Sequence, residues 1–164
     1  MLILIVRHAQ AGEHDAKKYP DDTERPLTGR GRKIHAEVSA ALRARKIAPD
    51  VIVASPWKRA WQTAGIMAKE FSGRKKMQPI PGPSLAADPN MESITSDLGP
   101  IEGLECIALV GHEPWLSELA SLLLTGEAHR LSLDLPKSGV IGIEAPKLEA
   151  GAGTLQFLLR PKLL

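Results

Sequence analysis

The sequence predicts an α/β fold: a three-layer α/β/α sandwich whose central sheet is mixed and mostly parallel. Three observations predict it. Short aliphatic runs alternate with segments of helical periodicity, the runs lack the polar alternation of half-exposed strands, and the last two strand-like segments are joined by a glycine-containing turn. A chain of 164 residues fits one domain spanning residues 1–164, and no internal repeat divides it.

The elements follow in order. Leu2 to Val6 is aliphatic throughout and reads as a central strand covered on both faces. Ala9 to Pro26 carries Gly12, Pro20 and several aspartates with little periodicity, which predicts a long loop near the functional edge. Thr28 is a cap candidate for a helix running to about Lys46, with Ile34, Val38, Ala41 and Leu42 on one face. Val51 to Ala54 is a second strand. Ser55-Pro56 then reads as a helix opening, serine as cap and proline in the first turn, with Ala60, Ala64, Met67 and Phe71 on the buried face. Gln78 to Ile80 is a brief third strand, and Ser84 to Gly103 a loop with one helix near Met91 to Leu98. Cys106 to Val110 is the next buried strand, and Pro114 starts a helix that turns Leu116, Leu119, Leu122 and Leu123 inward. Gly139 to Ala145 and Thr154 to Arg160 form an antiparallel hairpin at the sheet edge.

Composition narrows the function classes. Hydrophobic residues make up 43% and charged residues 24%, and no apolar run is long enough to cross a bilayer, which predicts no membrane partner. The apolar run after Met1 is closed by Arg7 after five residues, too short for a signal peptide, so a cytoplasmic location is expected. Cys106 is the single cysteine and is expected to be buried rather than redox-active. Twenty-one basic residues against 19 acidic ones give a net charge of +2, too even a balance for a general nucleic-acid binder. A monomer is expected.

Three strand-like runs end alike, with a cationic or polar group just beyond the aliphatic stretch: Arg7-His8, Ser55 leading to Arg59, and Gly111-His112. In open α/β sheets the ligand crevice lies outside the carboxyl ends of the strands, so these ends converge on one site. Two histidines and two arginines meeting there have no charge partner among themselves, and an anion is needed to offset their burial. A doubly charged phosphoryl group fits, because guanidinium forks match its oxygens in bidentate geometry.

These residues resemble a family. Leu4-Ile5-Val6-Arg7-His8 resembles the Arg-His-Gly signature of the histidine phosphatase superfamily. Arg25-Pro26-Leu27-Thr28 with Gly31 resembles the start of its first helix, Ser55-Pro56-Trp57-Lys58-Arg59-Ala60-Trp61-Gln62-Thr63-Ala64 its second phosphate-binding segment, and Val110-Gly111-His112-Glu113-Pro114 its second histidine. The resemblance runs from Met1 to about Leu124, and the short chain is similar to the SixA-type phosphohistidine phosphatase branch. Ala9 departs from the pattern, standing where the family usually has glycine, which changes backbone freedom and removes no reacting group. The resemblance implies a phosphoglycerate mutase-like fold and a phosphatase that needs no cofactor or metal. His8 would be the nucleophile, with Arg7, Arg59 and His112 holding the phosphoryl oxygens. It also makes Arg25, Ser55 and Glu113 candidates for substrate binding, with helix-start structure an equal role for Arg25 and capping of the helix at Pro114 an equal one for Glu113.

Many superfamily members that cleave phosphate esters carry an acid for the leaving alkoxide, at a place corresponding to Ser84 to Gly103 here. Asp88, Glu92 and Asp97 lie there, and Glu92 is the candidate proton donor, although none sits in a recognisable motif. A departing imidazole, whose conjugate acid has a pKa of about 6.5, needs far less protonation than an alkoxide, so a missing acid favours phosphohistidine as substrate. The expected partner is a phosphorylated protein, or else a small phosphorylated metabolite. A non-catalytic phosphate-dependent binding module is the alternative outside enzymes. Trp57 and Trp61 flank Arg59, as an apolar rim for a protein substrate or, for at least one of them, as packing; His14, His35 and His129 match no site, and His35 is expected to be exposed on its helix.

Overall fold

The computed structural model describes residues 1–73, 76–86, 91–98 and 103–164. Among them six strands form one sheet: β1 (Leu2–Arg7), β2 (Val51–Ala54), β3 (Ile80–Pro81), β4 (Cys106–Gly111), β5 (Val140–Glu144) and β6 (Thr154–Leu159). Their spatial order is β3-β2-β4-β1-β5-β6. The pairs from β3 to β1 are parallel, and β5 is antiparallel to both β1 and β6, which is the mixed sheet with an edge hairpin expected from the sequence. Four helices cover it: α1 (Gly29–Ala44), α2 (Lys58–Phe71), α3 (Met91–Leu98) and α4 (Trp115–Thr125).

The strands are aliphatic on both faces because both faces are covered. Alternate residues feed two separate cores. Ile3, Ile5, Val53, Ile107 and Leu109 pack with Leu116, Leu119 and Leu123 of α4 and with Ile94 of α3. Leu4, Val6, Ile52, Ala54, Ala108 and Val110 point the other way, onto Val38 and Leu42 of α1 and Ala60, Ala64 and Met67 of α2. Each fully buried Val, Leu, Ile or Met side chain among them contributes about 1.5–3 kcal/mol relative to exposure. Cys106 is buried and free. Leu122, Ile34, Ala41 and Phe71, expected on buried helix faces, are half-buried at their margins.

Two local expectations are corrected. The helix after β2 begins at Lys58, and its N-cap, Trp57, makes no side-chain cap bond. The Ser55 hydroxyl is engaged elsewhere, by the backbone N–H of Trp57 at 3.3 Å and by His112 at 2.9 Å. His35 is fully buried, on the face of α1 turned to the sheet, because it follows Gly31 and precedes Val38, Ser39 and Leu42 on the same buried stripe. Thr28 does cap α1, accepting from the N–H of Gly31 at 3.0 Å. Among the described residues no helix is long and apolar enough to cross a membrane.

Candidate active site

Strand register brings the site together. Parallel pairing sets Val6 beside Val110 and Arg7 beside Gly111, so His8 and His112 leave neighbouring strands at the same level. Ala54 pairs with Val110 from the other side, which brings Ser55 to that level too. The His8 and His112 rings stand 5.1 Å apart, centroid to centroid, tilted by 53°.

His8 is buried, and its Nδ1 lies 2.7 Å from the carbonyl oxygen of Ala9. A carbonyl only accepts, so Nδ1 carries the hydrogen of the neutral ring and Nε2 keeps its lone pair. Burial pushes the His8 pKa down to about 4; the bond to Ala9 opposes this, and the charges of Arg59, Arg7 and Lys137 add to it. The imidazole is therefore a neutral base with its outer nitrogen free at neutral pH.

The other three groups surround it. Arg7 donates from Nη1 to the Leu135 carbonyl at 2.8 Å, and Arg59 from Nη1 to the Asp22 carbonyl at 2.8 Å. Trp57 lies beneath the Arg59 guanidinium, 4.6 Å from ring centroid to Cζ, and against the His112 ring at 4.6 Å. His112 is pushed down to about 3, by burial first and then by the neighbouring His8 and Arg59. Its Nε2 meets the Ser55 hydroxyl at 2.9 Å, and that hydroxyl already accepts from the Trp57 N–H. With the Ser55 hydrogen given to Nε2, the His112 Nδ1 carries the ring hydrogen. Nε of Arg7, Nε of Arg59 and Nδ1 of His112 are all buried without a hydrogen-bond partner among the described residues. Buried donors left unpaired cost about 1–3 kcal/mol each, so three of them in one cage form a place where an anion is stabilised.

The cage is not without a counter-charge, contrary to the sequence expectation. Asp22 reaches Arg59 Nη1 at 3.1 Å, and the Arg25 Nε at 2.8 Å with Nη2 at 3.2 Å. The Arg25 fork, then His14 and Arg59, hold the Asp22 carboxyl well below the usual carboxylate range. Asp22 stands on a 3₁₀ turn, Asp22–Glu24, capped by the Asp21 carboxylate accepting from the Thr23 N–H at 2.9 Å. Arg25 also donates to the Gly12 carbonyl at 2.7 Å. Its bonds thus brace the loop that carries Asp22.

Sequence reasoning gave no role to Thr63. Its hydroxyl accepts from the Ala9 N–H at 3.0 Å and donates to the Arg59 carbonyl at 2.7 Å, so one side chain ties Ala9, whose carbonyl orients His8, to the helix that carries Arg59. The signal was its place one turn after Arg59 on α2. Gly31 has a similar supporting part: a Cβ there would lie 2.2 Å from the Gln10 carbonyl oxygen, so only glycine lets the chain beyond His8 rest on the first turn of α1. Ala9 is buried without a positive φ, so the departure from glycine at this position is accommodated.

The remaining candidates separate from the cage. Glu92 is exposed on α3, and no hydrogen bond joins it to the described residues of the cage. Asp97 is occupied by the N–H and hydroxyl of Ser84. Asp88 lies outside the described residues. Glu113 is half-buried, with Oε1 unpartnered; burial pushes its carboxyl up while hydrogen bonds from Ser117 pull the other way. Among the described residues no cluster of three or more His, Cys, Asp or Glu side chains could hold a metal ion.

Known proteins match this chain in sequence and in fold. The family model for the histidine phosphatase superfamily (branch 1) matches residues 3–82. An uncharacterized protein of Picosynechococcus sp. is 32% identical over 172 positions, covering 100% of this chain and 99% of its own. The structure of the protein histidine phosphatase SixA complexed with tungstate superposes with a TM-score of 0.81 at 22% identity over 99% of both chains. That of the alpha-ribazole phosphatase from Shigella flexneri gives 0.71 at 17% identity, over 98% of this chain and 97% of the other. Both solved structures share the fold. With His8 and His112 at the ends of neighbouring strands and a full-length relative beside the family match, the chain belongs to the histidine phosphatase superfamily.

Proposed function

We propose that the chain is a phosphatase acting on protein phosphohistidine through a covalent phospho-His8. The observation that carries the reading is the unprotonated Nε2 of His8 inside a cage whose three unpartnered donors belong to Arg7, Arg59 and His112. Nε2 attacks phosphorus in line, a new N–P bond forms as the substrate's N–P bond breaks, and the departing imidazole takes up a proton from water. The guanidinium groups and the His112 Nδ1–H hold the non-bridging oxygens as negative charge shifts among them. Water then attacks phospho-His8, the N–P bond returns its electron pair to Nε2, and inorganic phosphate leaves. All the positive charge in this scheme comes from side chains.

The substrate class rests on proton supply. Asp22 is the carboxylate bonded to the cage, and its ion pairs keep it ionised, so it cannot donate a proton at neutral pH. A leaving imidazole tolerates that and an alkoxide does not. A second reading, hydrolysis of a small phosphate ester, is favoured by one observation, the raised carboxyl of Glu113 next to His112. A substrate panel separates the two. Wild-type protein should release phosphate from a phosphohistidine-bearing protein far faster than from sugar or aryl phosphates, and His8→Ala should abolish release while keeping the fold. Turnover of esters at equal or higher kcat/KM would overturn the phosphohistidine assignment, and activity retained in His8→Ala would overturn the mechanism.

A further inference from the structure

The turn between α4 and β5 is fastened to the backbone beneath the cage. Arg7 donates from Nη1 to the Leu135 carbonyl at 2.8 Å and from its backbone N–H to the Gly139 carbonyl at 3.1 Å. Ser138 donates its N–H to the His8 carbonyl at 3.3 Å, and Gly139 closes the turn on the Pro136 carbonyl at 2.7 Å. Ser138 is buried at φ +62°, in the left-handed region that side-chain-bearing residues enter only where the surroundings hold them. Gly139 admits no side chain, since a Cβ would lie 2.7 Å from both Leu135 Cδ1 and the Pro136 oxygen. Leu135 to Gly139 is thus fixed in one shape against the residues that carry the chemistry, and Lys137 is its exposed member.

Lys137, like Arg7, makes no ion pair with a described carboxylate. Lys58 is matched by Glu24 at 3.0 Å, and both Arg25 and Arg59 by Asp22. The Lys137 charge is nonetheless felt at the reacting ring, where it acts with Arg59 and Arg7 against protonation of His8.

We propose that Lys137 is a substrate-binding residue that supplies a third cation, beside Arg7 and Arg59, to the phosphoryl group delivered to His8. The inference rests on the phosphatase reading above. The division of labour follows from side-chain chemistry: the two arginines are rigid forks that orient oxygens, whereas a lysine on a flexible stem is a mobile point charge that joins the anion when it arrives. Asp22 already offsets part of the Arg59 charge, so a further unmatched cation makes the empty cage attractive to a dianion.

The test is titration of inorganic phosphate, the reaction product, into wild type, Lys137→Ala, Lys137→Arg and Lys137→Glu at low and high salt, with thermal melting as the fold control. Lys137→Ala should bind phosphate roughly three- to fivefold more weakly, the range of an exposed charge contact. Lys137→Glu should be weaker still and Lys137→Arg close to wild type, and the differences should shrink as salt screens an exposed charge. Unchanged binding in Lys137→Ala refutes the role of Lys137 and leaves the phosphatase reading standing. A loss that arginine fails to rescue, or that salt leaves unaltered, also refutes it. A wild-type protein that binds no phosphate refutes both.

Discussion

Replacing His35 with leucine should stabilise the protein and flatten its response to acid. His35 is fully buried with neither ring nitrogen partnered among the described residues, and burial pushes its pKa from 6.5 down to about 4. The folded state therefore keeps this ring neutral while the unfolded chain binds a proton below pH 6.5. Stability from the neutral ring is fully present above 6.5 and is lost as pH falls from 6.5 towards 4, at about 1.4 kcal/mol per pH unit. Over the whole interval that amounts to about 3 kcal/mol. Leucine is similar in size and does not titrate, and it removes two buried polar atoms that cost about 1–3 kcal/mol at neutral pH. Urea unfolding of wild type and His35→Leu at several values between about pH 7 and pH 4.5 measures both effects. The variant should be more stable at pH 7, and its advantage should grow by about 1.4 kcal/mol for each unit of acidification. A variant that loses stability at pH 7, or one that tracks the wild-type slope, would refute the reasoning, because either result means that the imidazole has partners or is already charged.

Three further outcomes follow from the cage. The acid limb of kcat/KM, corrected for substrate ionisation, should fall near pH 4 rather than near 6.5, since His8 stays neutral down to about 4; a limb near 6.5 would mean that the ring is not desolvated. Asp22→Asn should raise the affinity for inorganic phosphate roughly tenfold, because the ligand no longer meets a carboxylate 3.1 Å from Arg59 Nη1; weaker binding would show that Asp22 orients Arg59 more than it repels the ligand. Thr63→Val should lower stability by about 1–2 kcal/mol through the unpaired Ala9 N–H and should reduce kcat more than it changes KM, with Thr63→Ser restoring both; unchanged kcat would remove Thr63 from the positioning of His8.

The parts of this architecture with a local cause were legible in the sequence. Aliphatic runs without polar alternation identified strands covered on both faces, and the cationic or polar residues at three strand ends identified the cage. The Val6–Val110 and Arg7–Gly111 register then did what the pattern implied. Asp22 was not legible, because an aspartate in an aperiodic loop carries no sign of which arginine it will reach, and its approach to Arg59 depends on a 3₁₀ turn braced by Arg25. Ser55 looked like a helix cap because serine before proline usually is one; its hydroxyl instead turns to His112, a residue 57 positions away. His35 was misplaced because a polar residue on a helix defaults to solvent, and only the packing of α1 reverses that default. Lys137 gave no sign at all, since its place depends on the left-handed Ser138 and on Gly139, which become meaningful once the turn is seen against Arg7 and His8.

In the proposed mechanism His8 attacks through Nε2 because Nδ1 is tied to the Ala9 carbonyl. Phosphorus-labelled substrate, an alkaline denaturing quench during the first turnover and identification of the modified ring nitrogen test it directly. Phosphate should be found on the Nε2 of His8. Label on Nδ1, label on His112, or turnover with no labelled histidine would contradict it.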